Sequence, residues 1–227
     1  MNIILLGYNG LIGSYILENL SKKLNINDTF KITCVGRKIK NKPFKNKKIK
    51  YVKWDFVNFS KSNLSFFEKK NIIINCVGKN YNNLKNLREI NLLFVQKLIF
   101  YIQNNKIAAH LIHLGSVSVY NIEHKSLGKI KNIRENSAVK SSDFYSKSKL
   151  EADNFIVKSL KVRNNQFSYT ILRIANVFSY SKNSNAFNLI RFLLNKGIWF
   201  KCSNNTRYHF IHAKDVARAV LLCIFSF

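Results

Sequence analysis

The first thirteen residues constrain the fold more than any other stretch of the chain. An uninterrupted apolar run, Ile3–Leu6, is followed at once by a glycine-rich turn, Gly7–Gly13, and then by a segment with helical spacing, Ser14–Leu24. This order predicts a buried strand, a tight turn and the N-terminus of a helix. The backbone N–H groups of the turn and the positive end of the helix dipole would then point to one place. Such an arrangement suits a phosphate group.

The glycines of the turn have the G-x-x-G-x-x-G spacing of a dinucleotide-binding fingerprint. Gly7 permits the tight turn, Gly10 lets a pyrophosphate approach the backbone, and Gly13 lets the helix pack closely on the strand. A sharp strand-to-helix turn without a ligand also uses glycines, so the spacing alone leaves both interpretations open. The strand before the turn and the helix after it are the context that the fingerprint requires. The residues expected to contact a dinucleotide here are Gly7, Asn9, Gly10, Leu11, Ile12 and Gly13.

Strand-like and helix-like segments alternate along the rest of the chain. The predicted strands are Lys31–Gly36, Ile49–Trp54, Ile72–Gly78, His110–Ser116 and Tyr169–Phe178, and the predicted helices are Phe66–Lys70, Leu87–Gln103 and Tyr145–Leu160. Continuous apolar strands joined by helices indicate a parallel sheet covered on both faces. The predicted fold class is therefore α/β, a Rossmann-type doubly wound parallel sheet that binds ligands beyond the carboxyl ends of its strands.

Length and composition limit the domain count and the cellular setting. The 227 residues, 47% of them hydrophobic, suffice for one sizeable core. We expect a single domain, 1–227, in which 176–227 form a small substrate-side portion. The four cysteines are scattered, so we predict no disulfide framework and no metal site. No signal peptide and no membrane span is recognisable, and a cytoplasmic protein is expected.

The strongly basic charge has several explanations. The formal net charge is +27, but only eight of the 38 basic residues are arginine, the residue that most often reads base edges. The abundance of Lys, Asn and Ile is typical of A+T-rich codon usage, which favours compositional drift. Attraction of an anionic ligand and contact with nucleic acid or membrane are the alternatives. We expect no nucleic-acid partner and a solvated loop at the densest run, Lys38–Lys50.

Polar and small residues follow the predicted strands at the edge where a ligand would bind. Arg37 follows the second strand, where an acid would bind the ribose 2′-hydroxyl and an arginine accommodates a 2′-phosphate; it favours NADP over NAD, against an ordinary basic loop residue. After the third strand, Asp55 is placed to accept from the adenine amino group, with Phe56 beside it, although a surface aspartate is the alternative. Val77 and Gly78 offer a small backbone surface beside the ribose or nicotinamide.

Three further residues have the types and positions expected for proton transfer. Tyr145 and Lys149 lie four apart in a predicted helix and share one face. An ammonium beside a phenol lowers the pKa of the phenol from its ordinary value of about 10. Such a tyrosine can exchange a proton with an alcohol or carbonyl while hydride moves to or from a nicotinamide. Ser116, at the end of the fifth predicted strand, is placed to hydrogen-bond the same oxygen.

These features together resemble the extended short-chain dehydrogenase/reductase family, the NAD(P)-dependent epimerase/dehydratase group acting largely on nucleotide sugars. The resemblance runs nearly end to end. Beyond the glycine turn it covers the segments Leu114–Tyr120, Tyr145–Glu151, Leu172–Phe178 and Phe210–Ala217. The chain departs from the family pattern at Asn121, where a Gly is usual, and at Ile174, where a Pro is usual.

The resemblance implies a role for each site residue. Tyr145 is the acid/base, Lys149 binds the nicotinamide ribose and lowers the pKa of Tyr145, and Ser116 orients the substrate oxygen. Asn91 matches an asparagine that holds a water or a backbone kink near the lysine. Further cofactor contacts are expected at Ile174 and Val177, and substrate contacts at Asn176, Arg207 and His212. A surface role for the arginine and a packing role for the histidine are the alternatives.

The resemblance also limits the reaction. Dehydratases of the family place an Asp-Glu pair directly after the position of Ser116, where this chain has Val117 and Ser118, so dehydration is not expected. We predict 4-keto reduction or C4 epimerisation of a nucleotide-linked sugar, with NADP as cofactor and NAD as the alternative. Family members usually continue into a substrate lobe, whereas this sequence stops at Phe227. A minimal lobe, a truncated product and a small substrate are the three explanations.

Two other function classes stay open. One is a non-catalytic NAD(P)-binding sensor or subunit with the same fold, which the short C-terminus favours and the intact Ser116, Tyr145 and Lys149 oppose. The other is a basic nucleic-acid-binding module, whose binding would fall steeply with salt. The resemblance further suggests a homodimer paired through the helices that contain Leu93 and Leu150.

Overall fold

Six parallel strands form the central sheet of the protein. A computed structural model describes residues 1–26, 29–39, 42–58, 65–68, 70–80, 84–120, 132–160, 167–180, 191–198 and 209–225. The strands are β1 Asn2–Leu6, β2 Lys31–Gly36, β3 Ile49–Lys53, β4 Lys70–Asn75, β5 Ala108–Ser116 and β6 Phe167–Ile174, in the order β3-β2-β1-β4-β5-β6. The order reverses between β1 and β4, which makes their carboxyl ends the switch point of the sheet. The predicted Rossmann-type parallel sheet is confirmed.

Helices cover both faces of this sheet, as predicted. They are α1 Leu11–Ile26, α2 Leu84–Arg88, α3 Phe94–Asn104, α4 Phe144–Leu160 and α5 Ala213–Phe225. One core cluster joins α1 and α5 to the sheet, and a second joins α3 and α4 to the opposite face. The apolar residues near the end of the sequence, from Ala219 on, thus belong to α5, which packs on α1.

The strand β1 shows why its sequence is apolar without alternation. Ile3 and Leu5 belong to the cluster with α1 and α5, whereas Ile4 and Leu6 belong to the cluster with α3. Successive side chains of a strand point to opposite faces of the sheet. Because both faces are covered, every side chain of the strand is buried.

The predicted helix Phe66–Lys70 is wrong, because these residues lead into β4 through a turn. The side chain of Asn71 accepts from the Glu68 N–H at 2.9 Å and donates to the Glu68 carbonyl at 2.6 Å, which closes the chain before the strand. Phe66 is buried and packs edge-on against Trp54, with ring centroids 5.9 Å apart. The apolar residues of this segment thus serve an aromatic cluster and not a helix face.

The predicted sixth strand also ends earlier than expected. The β5–β6 pairing stops at Ser116 opposite Ile174, since the Ser116 hydroxyl accepts from the Ser118 N–H at 3.2 Å and starts a 3₁₀ turn. With no neighbour left in the main sheet, Asn176–Phe178 (β7) pairs with Phe210–His212 (β8) in a separate two-stranded parallel sheet. A distinct substrate-side portion over 176–227 stays a prediction.

Candidate active site

The glycine turn lies at the switch point of the sheet. Gly7 follows β1 with a φ of +82°, a left-handed conformation that side chains disfavour. Its N–H donates to the Val35 carbonyl on β2 at 2.8 Å, and the Cys76 N–H after β4 donates to the Leu6 carbonyl at 3.0 Å. The turn is thus held between the strands that flank β1, and it leads directly into α1.

Gly13, in the first turn of α1, has no room for a side chain. A Cβ at this position would overlap the carbonyl oxygen of Gly7 and lie 2.9 Å from the Cα of Tyr8. Among the described residues, a Cβ at Gly10 would meet only the Gly7 carbonyl oxygen, at 3.3 Å. Gly13 therefore provides the close helix–strand packing, while Gly10 leaves its surroundings open, as the spacing predicts.

The end of β2 is tied to the glycine turn. A Cβ at Gly36 would lie 3.0 Å from the Tyr8 ring, and the Asn9 side-chain amide donates to the Lys38 carbonyl at 2.8 Å. Arg37 lies between these contacts with its side chain exposed. Cofactor contacts by Asn9, Leu11, Ile12 and Arg37 stay predictions.

The loop after β3 is held by hydrogen bonds between its own residues. The two carboxylate oxygens of Asp55 accept from the Val57 N–H at 3.0 Å and from the Asn58 amide at 3.1 Å. The Phe56 ring is buried and packs edge-on against Trp54, with centroids 5.7 Å apart. Phe56 therefore belongs to the core, and a cofactor contact there would use its backbone.

Lys149 is buried against the carboxyl ends of β4 and β5. It is 6% exposed, and its Nζ donates to the Leu114 carbonyl at 2.9 Å. A Cβ at Gly78 would lie 3.3 Å from this Nζ, so the glycine makes room for the ammonium. The Val77 N–H donates to the Asn75 side chain at 3.0 Å, which fixes the same edge. The structure thus brings Val77, Gly78 and Lys149 together from separate segments.

A π-helical turn interrupts the long helix that the sequence predicts over Leu87–Gln103. It spans Glu89–Leu93, between α2 and α3, and its wider backbone accommodates one extra residue. The buried side chain of Asn91 lies in this turn. The π-helical turn is thus a backbone irregularity at this asparagine, and its expected role of holding a water or a backbone kink stays a prediction.

Asn91 links three segments around the site. Its Oδ1 accepts from the Lys79 N–H at 2.9 Å, and its Nδ2 donates to the Lys79 carbonyl at 2.9 Å and to the Ser148 hydroxyl at 3.0 Å. The Ser148 hydroxyl in turn donates to the Tyr145 carbonyl at 2.8 Å. The amide therefore fixes the chain after Gly78 against the turn of α4 that carries Tyr145 and Lys149.

Ser116 and Tyr145 lie close together at the carboxyl end of β5. Burial raises the pKa of the half-buried Tyr145 phenol, its hydrogen bond with Ser116 lowers that pKa, and the Asp143 charge raises it. Burial is the largest of these effects, so the pKa is raised overall. The expectation that the pKa of Tyr145 is lowered is wrong for this structure, since burial dominates and Lys149 is not among the influences on the phenol.

Burial also acts on Lys149 itself. It lowers the pKa of the ammonium from 10.5 to about 8, against the opposing charge of Asp153. Since the folded protein releases this proton more easily than the unfolded chain, the free energy of unfolding should rise between pH 8 and 10.5. The shift corresponds to about 3 kcal/mol.

We expect Lys149→Met to remove this rise, since the variant has no proton to release. Denaturant unfolding at several pH values would measure it as the difference between wild type and variant. Lys158→Met, which changes an exposed lysine on the same helix, is the control and should keep the wild-type slope. An identical slope in all three proteins would contradict the assignment.

The predicted contacts after β6 are dispersed. Ile174 ends β6 and is half-buried, Asn176 is exposed, and Val177 is half-buried in β7. Arg207 lies outside the described residues. The roles of these four residues stay predictions.

His212 has the contacts of a packing residue. Its Nδ1 accepts from the Lys214 N–H at 3.1 Å, at the start of α5. Its ring packs edge-on against Tyr15 and Phe178, with centroids 5.8 and 5.1 Å apart. These contacts favour the packing role over a substrate contact, which stays a prediction.

Sequence reasoning missed two buried polar pairs behind the site. Asp153 accepts from the Arg173 guanidinium at 3.0 Å. The Asn75 amide lies 3.1 Å from His113 Nδ1 at directly opposed positions of β4 and β5. The available signal was a polar residue in an apolar setting: His113 stands between Ile and Leu, and Asp153 lies one helical turn beyond Lys149.

Comparison with known proteins identifies the family. The family model described as "NAD dependent epimerase/dehydratase family" matches residues 3–226. The chain belongs to the NAD-dependent epimerase/dehydratase family. No curated protein matches it by sequence.

Several solved structures of this fold resemble the chain. UDP-glucuronic acid 4-epimerase from Bacillus cereus, in complex with NAD, has a TM-score of 0.78 at 18% identity, over 99% of this chain and 72% of its own. dTDP-glucose 4,6-dehydratase from Bacillus anthracis, also with NAD, has a TM-score of 0.73 at 18% identity, over 99% and 72%. UDP-N-acetylglucosamine 4-epimerase from Methanobrevibacter ruminantium has a TM-score of 0.76 at 18% identity, over 97% and 72%. At this identity the likeness establishes the fold.

The switch point has the shape that the family's dinucleotide requires. Gly7 adopts a left-handed φ, Gly13 packs on the turn, and Gly10 keeps space in front of the α1 N-terminus. A diphosphate could approach the backbone there. Over the described ranges no group of three or more His, Cys, Asp or Glu is arranged to hold a metal ion. Within the same ranges no helix combines the length and apolarity needed to cross a bilayer.

Proposed function

We propose that the protein is an NAD(P)-dependent oxidoreductase or epimerase that acts on a nucleotide-linked sugar. The observation that carries this proposal is the arrangement at the carboxyl ends of β4 and β5: Lys149 Nζ lies beside Gly78, Ser116 interacts with Tyr145, and Gly7 of the glycine turn approaches Cys76 and Val77. Membership of the epimerase/dehydratase family supports it, as do solved relatives in complex with NAD and with UDP-glucuronic acid or UDP-glucose.

Each residue has a role in the proposed reaction. A bound nicotinamide dinucleotide supplies hydride transfer. Tyr145 gives a proton to a substrate carbonyl or takes one from an alcohol, and Ser116 hydrogen-bonds the same oxygen. Lys149, beside Gly78, would hold the nicotinamide ribose. The raised pKa of Tyr145 keeps the phenol protonated at neutral pH, which suits the direction in which a carbonyl is reduced.

The type of reaction is inferred from what surrounds Ser116. Val117 and Ser118 follow it, and neither can act as the acid or base of a water elimination. The proposal therefore comprises 4-keto reduction or C4 epimerisation and leaves out dehydration. A cytoplasmic location and a homodimer stay predictions, and sedimentation analysis would test the second.

The choice between NADP and NAD depends on Arg37. The solved relatives hold NAD, whereas an exposed arginine after β2 favours a 2′-phosphate. We expect Arg37→Ala to weaken NADPH binding by about ten- to a hundredfold, since one charge-assisted contact is lost, and to leave NADH binding unchanged. Fluorescence titration of both cofactors would measure this.

Arg218→Ala is the matched control, because Arg218 is exposed on α5 and pairs only with Asp215 at 3.8 Å among the described residues. It should bind both cofactors as wild type does. A preference for NADH that Arg37→Ala leaves untouched would exclude the NADP assignment and favour an epimerase with tightly held NAD. Failure to bind either cofactor would exclude the proposed function.

A further inference from the structure

Asp153 continues the face of α4 that carries the proposed catalytic residues. Tyr145, Lys149 and Asp153 follow each other at intervals of four, so they lie on one side of the helix. Asp153 is 1% exposed. Its Oδ2 accepts from Arg173 Nε at 3.0 Å, while its Oδ1 has no hydrogen-bond partner among the described residues. This buried carboxylate takes no part in the proposed proton transfer.

The two buried charged side chains of α4, Lys149 and Asp153, contact adjacent residues of β5. The Leu114 carbonyl accepts from Lys149 Nζ at 2.9 Å. At the next residue, a Cβ on Gly115 would lie 3.2 Å from Asp153 Oδ1, so only glycine leaves the carboxylate this much space. Ser116, which contacts Tyr145, follows directly. Three consecutive residues of β5 therefore contact side chains from three turns of α4, Leu114 through its backbone carbonyl.

Arg173 fixes the carboxylate from the neighbouring strand. Its Nη1 donates to the Tyr120 hydroxyl at 2.6 Å, and its guanidinium carbon lies 4.9 Å from the centre of the Tyr120 ring. Burial is the largest influence on the pKa of Asp153 and raises it overall, while Arg173 and Lys149 act in the opposite direction. The contacts with Arg173 give the carboxyl group a defined position.

Lys149 needs a negative charge nearby. An ammonium buried with a single carbonyl acceptor is costly unless an anion compensates it, and Lys149 forms no ion pair within the described part of the chain. The other titratable groups that face it are the Cys76 thiol, whose pKa burial raises to about 12, and His113, whose pKa burial lowers well below its ordinary value. Both are neutral at pH 7 to 8, which leaves Asp153 as the source of negative charge in the part of the chain that the structure describes.

We propose that Asp153 is a positioning residue for Lys149: its carboxylate, held by Arg173 and seated on Gly115, keeps the buried ammonium charged and directed at the Leu114 carbonyl. This proposal concerns the protonation state of Lys149, and only its relevance to catalysis rests on the proposed function. Its test reads the protonation of Lys149 directly and requires neither cofactor nor turnover, so its failure is distinct from that of the proposed function.

The test is a carbon NMR titration of ¹³C-lysine-labelled protein. The Lys149 Cε signal is assigned by its absence in Lys149→Met, and wild type should titrate with a midpoint of about 8. In Asp153→Asn, which keeps the shape of the side chain but removes its charge, the midpoint should fall by about one pH unit. Glu151→Gln, which removes a charge from the same helix two residues away and so on another side, should leave it unchanged. An unchanged midpoint in Asp153→Asn would overturn the proposal, even if the variant were less stable.

A second measurement uses wild-type protein, so it does not depend on whether a variant folds. In wild-type protein labelled with ¹³C-aspartate, the Asp153 Cγ signal should report an ionised carboxylate at pH 7. A protonated Asp153 at that pH could not supply the counter-charge and would equally overturn the proposal. Reduced stability of Asp153→Asn alone, with neither titration altered, would mean that the pair serves only packing.

Discussion

Tyr145→Phe should lower kcat by about 10²- to 10⁴-fold, the contribution that a positioned acid/base residue typically makes. The substitution removes one hydroxyl from a half-buried ring and leaves the remaining contacts of α4 in place. The Ser148 hydroxyl bonds the Tyr145 carbonyl, which the variant retains. Turnover with UDP-linked hexoses would be followed by nucleotide absorbance or by chromatography of the sugar products.

The variant should bind NADH or NADPH like wild type, because the phenol is assigned to proton transfer and not to the cofactor. Tyr169→Phe is the matched control: Tyr169 lies on β6 opposite Leu111, several residues from the strand edge, and its loss of a hydroxyl should leave kcat unchanged. Equal turnover in wild type and Tyr145→Phe would rule out the acid/base assignment. Cofactor binding by a wild-type protein that turns over no nucleotide sugar would point to the non-catalytic alternative.

Gly13→Ala should have the largest effect on stability of any single methyl group added to the chain near the site. In a helix, alanine is more favourable than glycine by about 1 kcal/mol. Here the added Cβ overlaps the Gly7 carbonyl oxygen and lies 2.9 Å from the Cα of Tyr8, and both neighbours are backbone that cannot rotate away. Overpacking of this kind costs about 3 kcal/mol, so the clash prevails and the net loss is about 2 kcal/mol.

Denaturant unfolding would measure this loss, and cofactor titration should show binding weakened by about tenfold or more, because the turn must move to relieve the clash. Gly10→Ala is the comparison: its Cβ meets one atom, at 3.3 Å, so its stability should fall by less while cofactor binding still suffers. If Gly13→Ala were as stable as wild type, α1 would not pack on the turn as described.

Much of the fold could be predicted because the apolar pattern of each segment agrees with its position between or on the layers of the fold. The run Ile3–Leu6 is apolar on both faces since both are covered, and the glycine spacing fixes the turn to α1. Prediction failed where tertiary contacts override local pattern. Phe66 looks like part of a helix face, yet its ring is committed to Trp54. The strand expected to reach Phe178 stops at Ile174, because its neighbour β5 turns away at Ser116.

The candidate site shows the same division. Tyr145 and Lys149 are four apart, so periodicity alone places them together. The Asp153–Arg173 pair joins residues twenty apart. It depends on how β6 packs against α4, which no spacing rule reveals. The direction of the Tyr145 pKa shift is determined mainly by burial. Burial is a property of packing, whereas the proximity of Tyr145 and Lys149 in the sequence suggested the opposite direction.

The packing of α5 on α1 has a consequence for the order of events during synthesis. Ile16 and Leu20 of α1 are covered by Val216 and Val220 of α5 in one cluster, although about two hundred residues separate the two helices in the chain. A nascent chain that has emerged only as far as β6 therefore contains all six strands of the sheet, but the side of α1 that packs on α5 is still exposed. Contacts so distant in sequence form slowly, and an exposed apolar helix invites aggregation meanwhile. Helix α5 thus completes the cover of α1 only late in synthesis, and we expect chaperone contacts with the nascent chain to decrease once residues 213–225 have left the ribosome.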